Sequence, residues 1–257
     1  MAFKKNKEEN SANSAVLAKR RLLTANSPFA MKEAYNAIRT KLMFTGKGEK
    51  CPVFAVTSSM MHDGKTTNSV NLAISIANAE KKVLLIDADL RKPTVHRYFS
   101  LENKDGLSEI LAGLTNEIRI RNTDTENLKV LTSGQIPPNP AELLGSEQMD
   151  TLLEYVRNYF DYVIIDTPPT NVVTDATILA EKITGYVFVV QGGKNHFNDV
   201  SYALETLKQV NGRVVGMILN DITGKAVQKY NYRGRNYGYY RSYYKRNYGA
   251  YGKEEKK

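Results

Sequence analysis

Thr57-Ser-Ser-Met-Met-His-Asp-Gly-Lys-Thr-Thr67 is the stretch on which the fold turns. It follows a β-branched run, Val53–Thr57. It precedes Thr66–Ala79, where Val70, Ala73, Ile74 and Ala77 recur near the helical period. A strand, a loop and a helix, with Gly64-Lys65-Thr66 at the junction, match the end of a phosphate-binding loop. Backbone N–H groups and a helix N-terminus suit an anion there. Lys65 suits the β- and γ-phosphates of a nucleotide, and the Thr66 hydroxyl suits Mg2+. Asp63, Gly64, Lys65, Thr66 and Thr67 are therefore candidate nucleotide-binding residues. Ser59 stands where the general pattern has its first glycine, so the reading rests on the strand–loop–helix context.

Outward from that loop, strand and helix alternate. Further β-branched runs are Val83–Asp87, Leu128–Thr132, Val163–Asp166, Val187–Val190 and Val214–Leu219. Helical patterns lie at about 29–44, with Pro28 placed for the first turn, and at Ser146–Phe160 and Asp199–Val210. Strands apolar on both faces and separated by helices imply an α/β fold. Its three layers are a parallel sheet with helices on both sides. Ligands of such sheets bind at the C-terminal strand ends.

Two more motifs fall at those ends. Val83-Leu-Leu-Ile-Asp-Ala-Asp-Leu-Arg-Lys-Pro93 closes a strand with two carboxylates, Asp87 and Asp89, followed by Arg91. Residues two apart in a strand point the same way, so both carboxylates are expected at one Mg2+-phosphate site. A cation is needed to offset charges that close. Tyr162-Val-Ile-Ile-Asp-Thr-Pro-Pro169 ends another strand with Asp166, a direct or water-mediated Mg2+ carboxylate. The candidate metal residues are Thr66, Asp87 and Asp166. Asn220 follows a strand end and is a candidate for the nucleotide base, with a turn or cap role equally open.

Composition narrows the class. The chain has 257 residues, 42% hydrophobic and 25% charged, which excludes a fully disordered or collagen-like chain. No apolar run approaches the 18 or more residues needed to span a bilayer, and no signal peptide is expected. The lone Cys51 fits a reducing compartment and excludes a cysteine-rich metal site. The formal charge of +9 is unevenly placed. Residues 225–257 carry ten Lys and Arg against two Glu, or +8, so the remainder is near neutral. That segment also holds nine of the sixteen tyrosines: Tyr230, Tyr232, Tyr237, Tyr239, Tyr240, Tyr243, Tyr244, Tyr248 and Tyr251. With no aliphatic stripe, it reads as a flexible low-complexity tail. The expected organisation is a loose arm over 1–26, a phosphate-loop domain over 27–224 and the tyrosine-rich tail over 225–257.

Together these residues resemble the bacterial tyrosine kinases of capsular and exopolysaccharide synthesis. The three motifs correspond to that family's Walker A (Ser58–Thr67), Walker A′ (Leu84–Arg91) and Walker B (Val163–Asp166), a deviant P-loop NTPase arrangement. Other matches are Glu33–Leu42, Gly106–Gly113, Ser133–Leu144 and the tyrosine cluster. The resemblance runs from about residue 27 to the end. It implies an ATP- and Mg2+-dependent autokinase that phosphorylates the tyrosine cluster in trans. Lys65, Asp87, Asp89 and Arg91 would carry the catalysis, with Asp89 accepting the tyrosine proton. It further implies a homo-oligomeric ring, with an octamer as one size, built through Glu33, Asn36 and Arg39. A transmembrane polysaccharide co-polymerase adaptor would recruit the cytoplasmic chain to the inner face of the plasma membrane. A tyrosine phosphatase would reverse the reaction, and no nucleic acid is implied.

Two positions depart from the family pattern. His62 replaces a loop glycine, which implies local strain if positive φ is needed there. Asn36 replaces the first arginine of the oligomer motif, which implies a weaker contact. The alternative is a nucleotide-switch ATPase or scaffold of the same fold without tyrosine kinase activity. Partitioning ATPases of that fold carry a lysine where this chain has Met60, and they lack such a tail. A nucleic-acid-binding reading of the Arg/Tyr/Gly tail is weaker still.

Overall fold

The computed structural model describes residues 18–19, 21–115 and 117–220. In chain order, α1 (Phe29–Thr45), β1 (Val53–Ser58), α2 (Lys65–Ala77) and β2 (Val83–Asp87) come first. Then follow α3 (Val95–Phe99), α4 (Leu107–Leu111), β3 (Arg121–Asn122) and β4 (Leu128–Leu131). The rest are α5 (Pro140–Gly145), α6 (Glu147–Val156), β5 (Tyr162–Asp166), α7 (Asp175–Ile178), β6 (Gly185–Gln191), α8 (Phe197–Gln209) and β7 (Val214–Asn220).

The strands form one sheet in the order β3-β4-β2-β5-β1-β6-β7. All neighbours run parallel except the edge pair β3–β4. The two-residue β3 was not legible as a strand, because it has no apolar alternation. The parallel strands β1, β2 and β5 are buried at every position. Their alternate residues feed opposite cores, as a two-sided sheet requires. Phe54 and Val56 pack with Leu42, Val70 and Ile74 of α1 and α2. Val53 and Ala55 pack with Met149, Leu152, Ala203 and Leu207 of α6 and α8. This is the three-layer α/β architecture expected from the pattern.

One boundary moves. Leu23 is buried, and its N–H donates to Asn71 Oδ1 at 2.7 Å. Asn71 Nδ2 in turn donates to the Arg21 carbonyl at 2.9 Å. The end of the expected loose arm is therefore fastened to α2. A single Leu in a polar run carries no periodic signal, which is why the sequence hides it.

The sheet order positions the site. In register, Asp87 of β2 faces Asp166 of β5, and β5 lies between β2 and β1. The C-terminal ends of β1, β2, β5, β6 and β7 share one edge of the sheet, and all the candidate chemistry lies there.

Candidate active site

The loop after β1 is held in shape by its own acid. Asp63 is fully buried, and its carboxylate accepts from Met60 N (2.9 Å) and Asn195 Nδ2 (2.9 Å). Lys194 Nζ lies 3.8 Å from it and donates to the Met61 carbonyl at 3.1 Å. Asn220 Nδ2 donates to the Asp63 carbonyl at 2.9 Å. Asn220 thus braces the loop rather than standing apart as a strand-end turn. Gly64 has φ +93°, and a Cβ there would collide with the Asn220 amide. Only glycine fits that backbone. His62 also has positive φ, 66°, which is strained for a side chain of its size. The strain implied at this position is present.

Beyond Gly64 the thirteen-residue α2 begins, with its N-terminus at the loop. Lys65 is buried. Burial lowers its pKa, opposed by the charges of Asp166, Asp89 and Asp63. Thr66 Oγ1 donates to Asp166 Oδ2 at 2.7 Å, and Ser69 Oγ donates to Asp166 Oδ1 at 2.8 Å. Burial pushes the Asp166 carboxyl up to about 6, against those two hydrogen bonds and the Lys65 charge. Asp87 accepts from the Thr94 and Val95 backbone N–H groups at 3.1 and 3.0 Å. Burial, and next the Asp166 charge, hold its pKa well above the ordinary carboxylate range. Two buried acids at adjacent strand ends, both unwilling to ionise, form a set that a divalent cation would satisfy.

Asp89 departs from the strand argument. The strand β2 ends at Asp87, so alternation does not orient the later residue. Asp89 instead belongs to a turn in which the Lys92 N–H donates to its Oδ1 at 3.0 Å. It lines a cavity of about 760 Å³ shared with His62, Lys65, Thr66 and Arg91. Arg91 does not bond Asp89. Its Nε and Nη2 donate to both oxygens of Asp175 at 2.9 and 3.0 Å, a bidentate pair on a fully buried acid. Thr67 Oγ1 shares a 2.7 Å hydrogen bond with the Tyr98 hydroxyl, and both residues line the same cavity.

Within α1, Asn36 Nδ2 donates to Glu33 Oε1 at 2.9 Å. Arg39 Nη1 donates to the Ser75 carbonyl of α2 at 2.8 Å. The nine tail tyrosines lie outside the described residues. Asp175, Lys194, Asn195 and Ser69 were missed from sequence. Ser69 was findable, three residues after Thr66 on the same helical face. The other three, Asp175 at the start of α7 and Lys194 and Asn195 in the loop after β6, are distant in sequence, where spacing carries no signal.

The AAA domain family matches residues 58–217. The tyrosine-protein kinase YwqD of Bacillus subtilis (strain 168) is 42% identical over 209 residues, covering 81% of this chain and 85% of that protein. The chain belongs to the bacterial tyrosine kinases. Another relative of this kinase chain is the tyrosine-protein kinase CpsD of Streptococcus agalactiae. It is 38% identical over 229 residues, covering 88% of this chain and 92% of the relative. Among solved structures, the kinase domain of the Escherichia coli tyrosine kinase ETK aligns with a TM-score of 0.70 and 37% identity. That alignment covers 78% of this chain and 82% of the other. The deviant P-loop architecture and a nucleotide-binding edge are thus family features.

Proposed function

We propose that this chain transfers the γ-phosphoryl group of ATP to tyrosine hydroxyls, its own tail cluster first, in trans between subunits of a ring. The observation that carries the reading is the placement of Asp89, Lys65 and Thr66 on one cavity, with Thr66 bonded to Asp166, which is in register with Asp87. Thr66, Asp87 and Asp166 fit Mg2+, since both buried acids stay raised even with the Lys65 charge acting on Asp166; bound there, it would neutralise charge on the phosphates.

The loop N–H groups and Lys65 hold the phosphates. Asp89 accepts the proton of the acceptor hydroxyl, whose ordinary pKa near 10 leaves it weakly nucleophilic at neutral pH. The hydroxyl oxygen bonds to the γ-phosphorus as the β–γ bridging bond breaks, and ADP leaves. Arg91, fixed by Asp175, keeps a cation beside the acceptor turn. Asp63, Gly64, Thr67 and Asn220 shape and brace the loop.

On this reading, a transmembrane polysaccharide co-polymerase adaptor recruits the chain to the inner membrane face, and a tyrosine phosphatase resets it. The setting is capsular or exopolysaccharide synthesis, with Glu33, Asn36 and Arg39 contributing to the ring. The strained His62 is the observation that favours the switch-ATPase or scaffold alternative. The deciding experiment is autophosphorylation with Mg2+-ATP read by intact mass, with and without a fused adaptor tail peptide. Lys65→Met and a chain ending at Lys225 run as controls. Several 80-Da additions are expected in the wild type and none in either control. ATP binding without additions would replace the kinase reading with the alternative.

A further inference from the structure

The cavity above Asp89 carries more positive charge than the nucleotide site accounts for. Lys65 and Arg91 are matched by the buried acids Asp166 and Asp175. Arg21 and Lys92 line the same cavity and come from outside the phosphate loop. Arg21 stands where the chain is fastened to α2, and its charge acts on the Tyr98 hydroxyl. Lys92 directs Nζ to a neutral atom, Met61 Sδ, at 3.6 Å. Among the described residues that line the cavity, Asp89 is the one carboxylate. The loop after β5 adds Pro168 and Val172, which bring apolar surface without charge. Cations beside apolar wall suit an aromatic ring with an anionic head.

Lys92 is also tied to the acceptor turn, because its N–H holds Asp89 Oδ1. A group held by the Lys92 ammonium therefore shares the cavity with the residue that would receive the tyrosine proton. The tail contains adjacent tyrosines, Tyr239-Tyr240 and Tyr243-Tyr244. Adjacent Cα atoms are about 3.8 Å apart, so one member of such a pair can sit at Asp89 while its neighbour remains within the cavity.

We propose that Arg21 and Lys92 form a phosphotyrosine subsite, which holds an already phosphorylated tail tyrosine while its neighbour is phosphorylated. The proposal rests on the tyrosine kinase reading and deepens it. Charge decides the order of events. The unmodified segment 225–257 is +8 and gains nothing from these cations. Each phosphate adds about −1.5 to −2 charges at pH 7 and three strong acceptors. A tail that has begun to react is thus a better substrate than one that has not. Chains with one phosphate are consumed quickly, and fully modified chains build up beside untouched ones.

The test uses the full chain, Mg2+-ATP and two synthetic peptides spanning Tyr237–Tyr248. One is unmodified and the other carries phosphate on Tyr244. New phosphate is read by mass, and KM is measured for both peptides and for ATP. The primed peptide is expected to show a KM about tenfold lower, the equivalent of roughly 1.4 kcal/mol. This advantage should shrink as ionic strength rises, because exposed cations are screened. In Arg21→Gln/Lys92→Gln the ratio of the two peptide KM values should fall to about one with the ATP KM unchanged. The single variant Lys92→Gln should lose part of the ratio, which guards against a folding defect in the double variant. Lys129→Gln removes a cation on β4, outside the cavity, and should keep the full ratio. Equal KM values for the two peptides in the wild type would overturn the subsite and leave the kinase reading intact. A double variant that loses ATP affinity in step with the ratio would also overturn it, assigning these cations to the nucleotide. Failure to phosphorylate either peptide would sink the kinase reading and the subsite with it.

Discussion

Two buried acidic regions of this molecule are built in opposite ways. At the end of α4's first turn, Glu109 accepts from Gly106 N, Ser108 Oγ and Gln135 N at 2.9 Å each. Burial pushes its pKa up, but the Gln135, Gly106, Glu109 and Ser108 donors outweigh burial and leave the carboxyl below its ordinary value. At the ends of β2 and β5, Asp87 and Asp166 also have donors, yet both are pushed up. The difference lies first in burial, which is complete at the two strand-end acids and outweighs their donors, and next in the neighbours. Glu109 sits alone among N–H groups, whereas each strand-end acid faces another. A buried acid saturated with donors is scaffold. A pair left short of positive charge is a place prepared for a cation.

The widest separation between the two regions is expected in activity. Asp87→Asn should lower autophosphorylation by about 10²–10³-fold, the scale for removing one group that stabilises developing charge. Glu109→Gln should change the rate less than threefold at a temperature where both proteins are folded. If both variants lose activity equally, the distinction between scaffold and site fails.

Next in size is a pH effect. Asp166 has its folded pKa raised from 3.8 to about 6. A raised pKa means that the folded state binds the proton more tightly. Its contribution to stability is complete below about pH 4 and is lost as pH rises through about 6. The shift corresponds to at most about 3 kcal/mol. The nucleotide-free wild type should therefore lose stability relative to Asp166→Asn between pH 4 and 7, in denaturant titrations. A constant difference across that range would show that the acid is not strained. The Glu109 contribution runs the other way and is lost as pH falls.

The same contrast explains what could be read in advance. The Asp87 and Asp166 motifs were legible because each closes an apolar strand, a pattern spanning five residues. The α/β layers were legible for the same reason. Glu109 was not singled out, because its donors include Gln135, 26 positions away. Asp175 was invisible for a similar reason, 84 positions from Arg91. Local pattern reveals what one element presents, while the partner on another loop is fixed only by the fold. The strand-alternation argument also overreached at Asp89, where the turn after β2 had already replaced the strand.

Third, Glu109→Gln should cost about 1–3 kcal/mol of stability, because the new amide leaves the Gly106 or Gln135 N–H without an acceptor. Asp87→Asn should raise the thermal midpoint of the nucleotide-free protein, since it removes an acid that resists ionisation where it is buried. Opposite signs in the same thermal-unfolding series would sharpen the comparison, and a common sign would break it.

The smallest effect tests strain rather than charge. His62 and Asn127 both hold positive φ, at 66° and 63°. Asn tolerates that backbone and sits in a turn before β4, while His62 lines the cavity. His62→Gly should therefore stabilise the protein by under about 1 kcal/mol, because the relieved strain exceeds the added chain entropy only slightly. Asn127→Gly should be neutral or slightly destabilising. The informative readout is nucleotide affinity measured beside stability. If His62→Gly tightens nucleotide binding several-fold, the strained loop weakens the nucleotide site and the histidine sets how readily the loop closes on phosphates. If affinity stays within twofold, the loop geometry is already fixed by Asp63, Asn195 and Asn220, and the strain at His62 is borne by the brace rather than by the site.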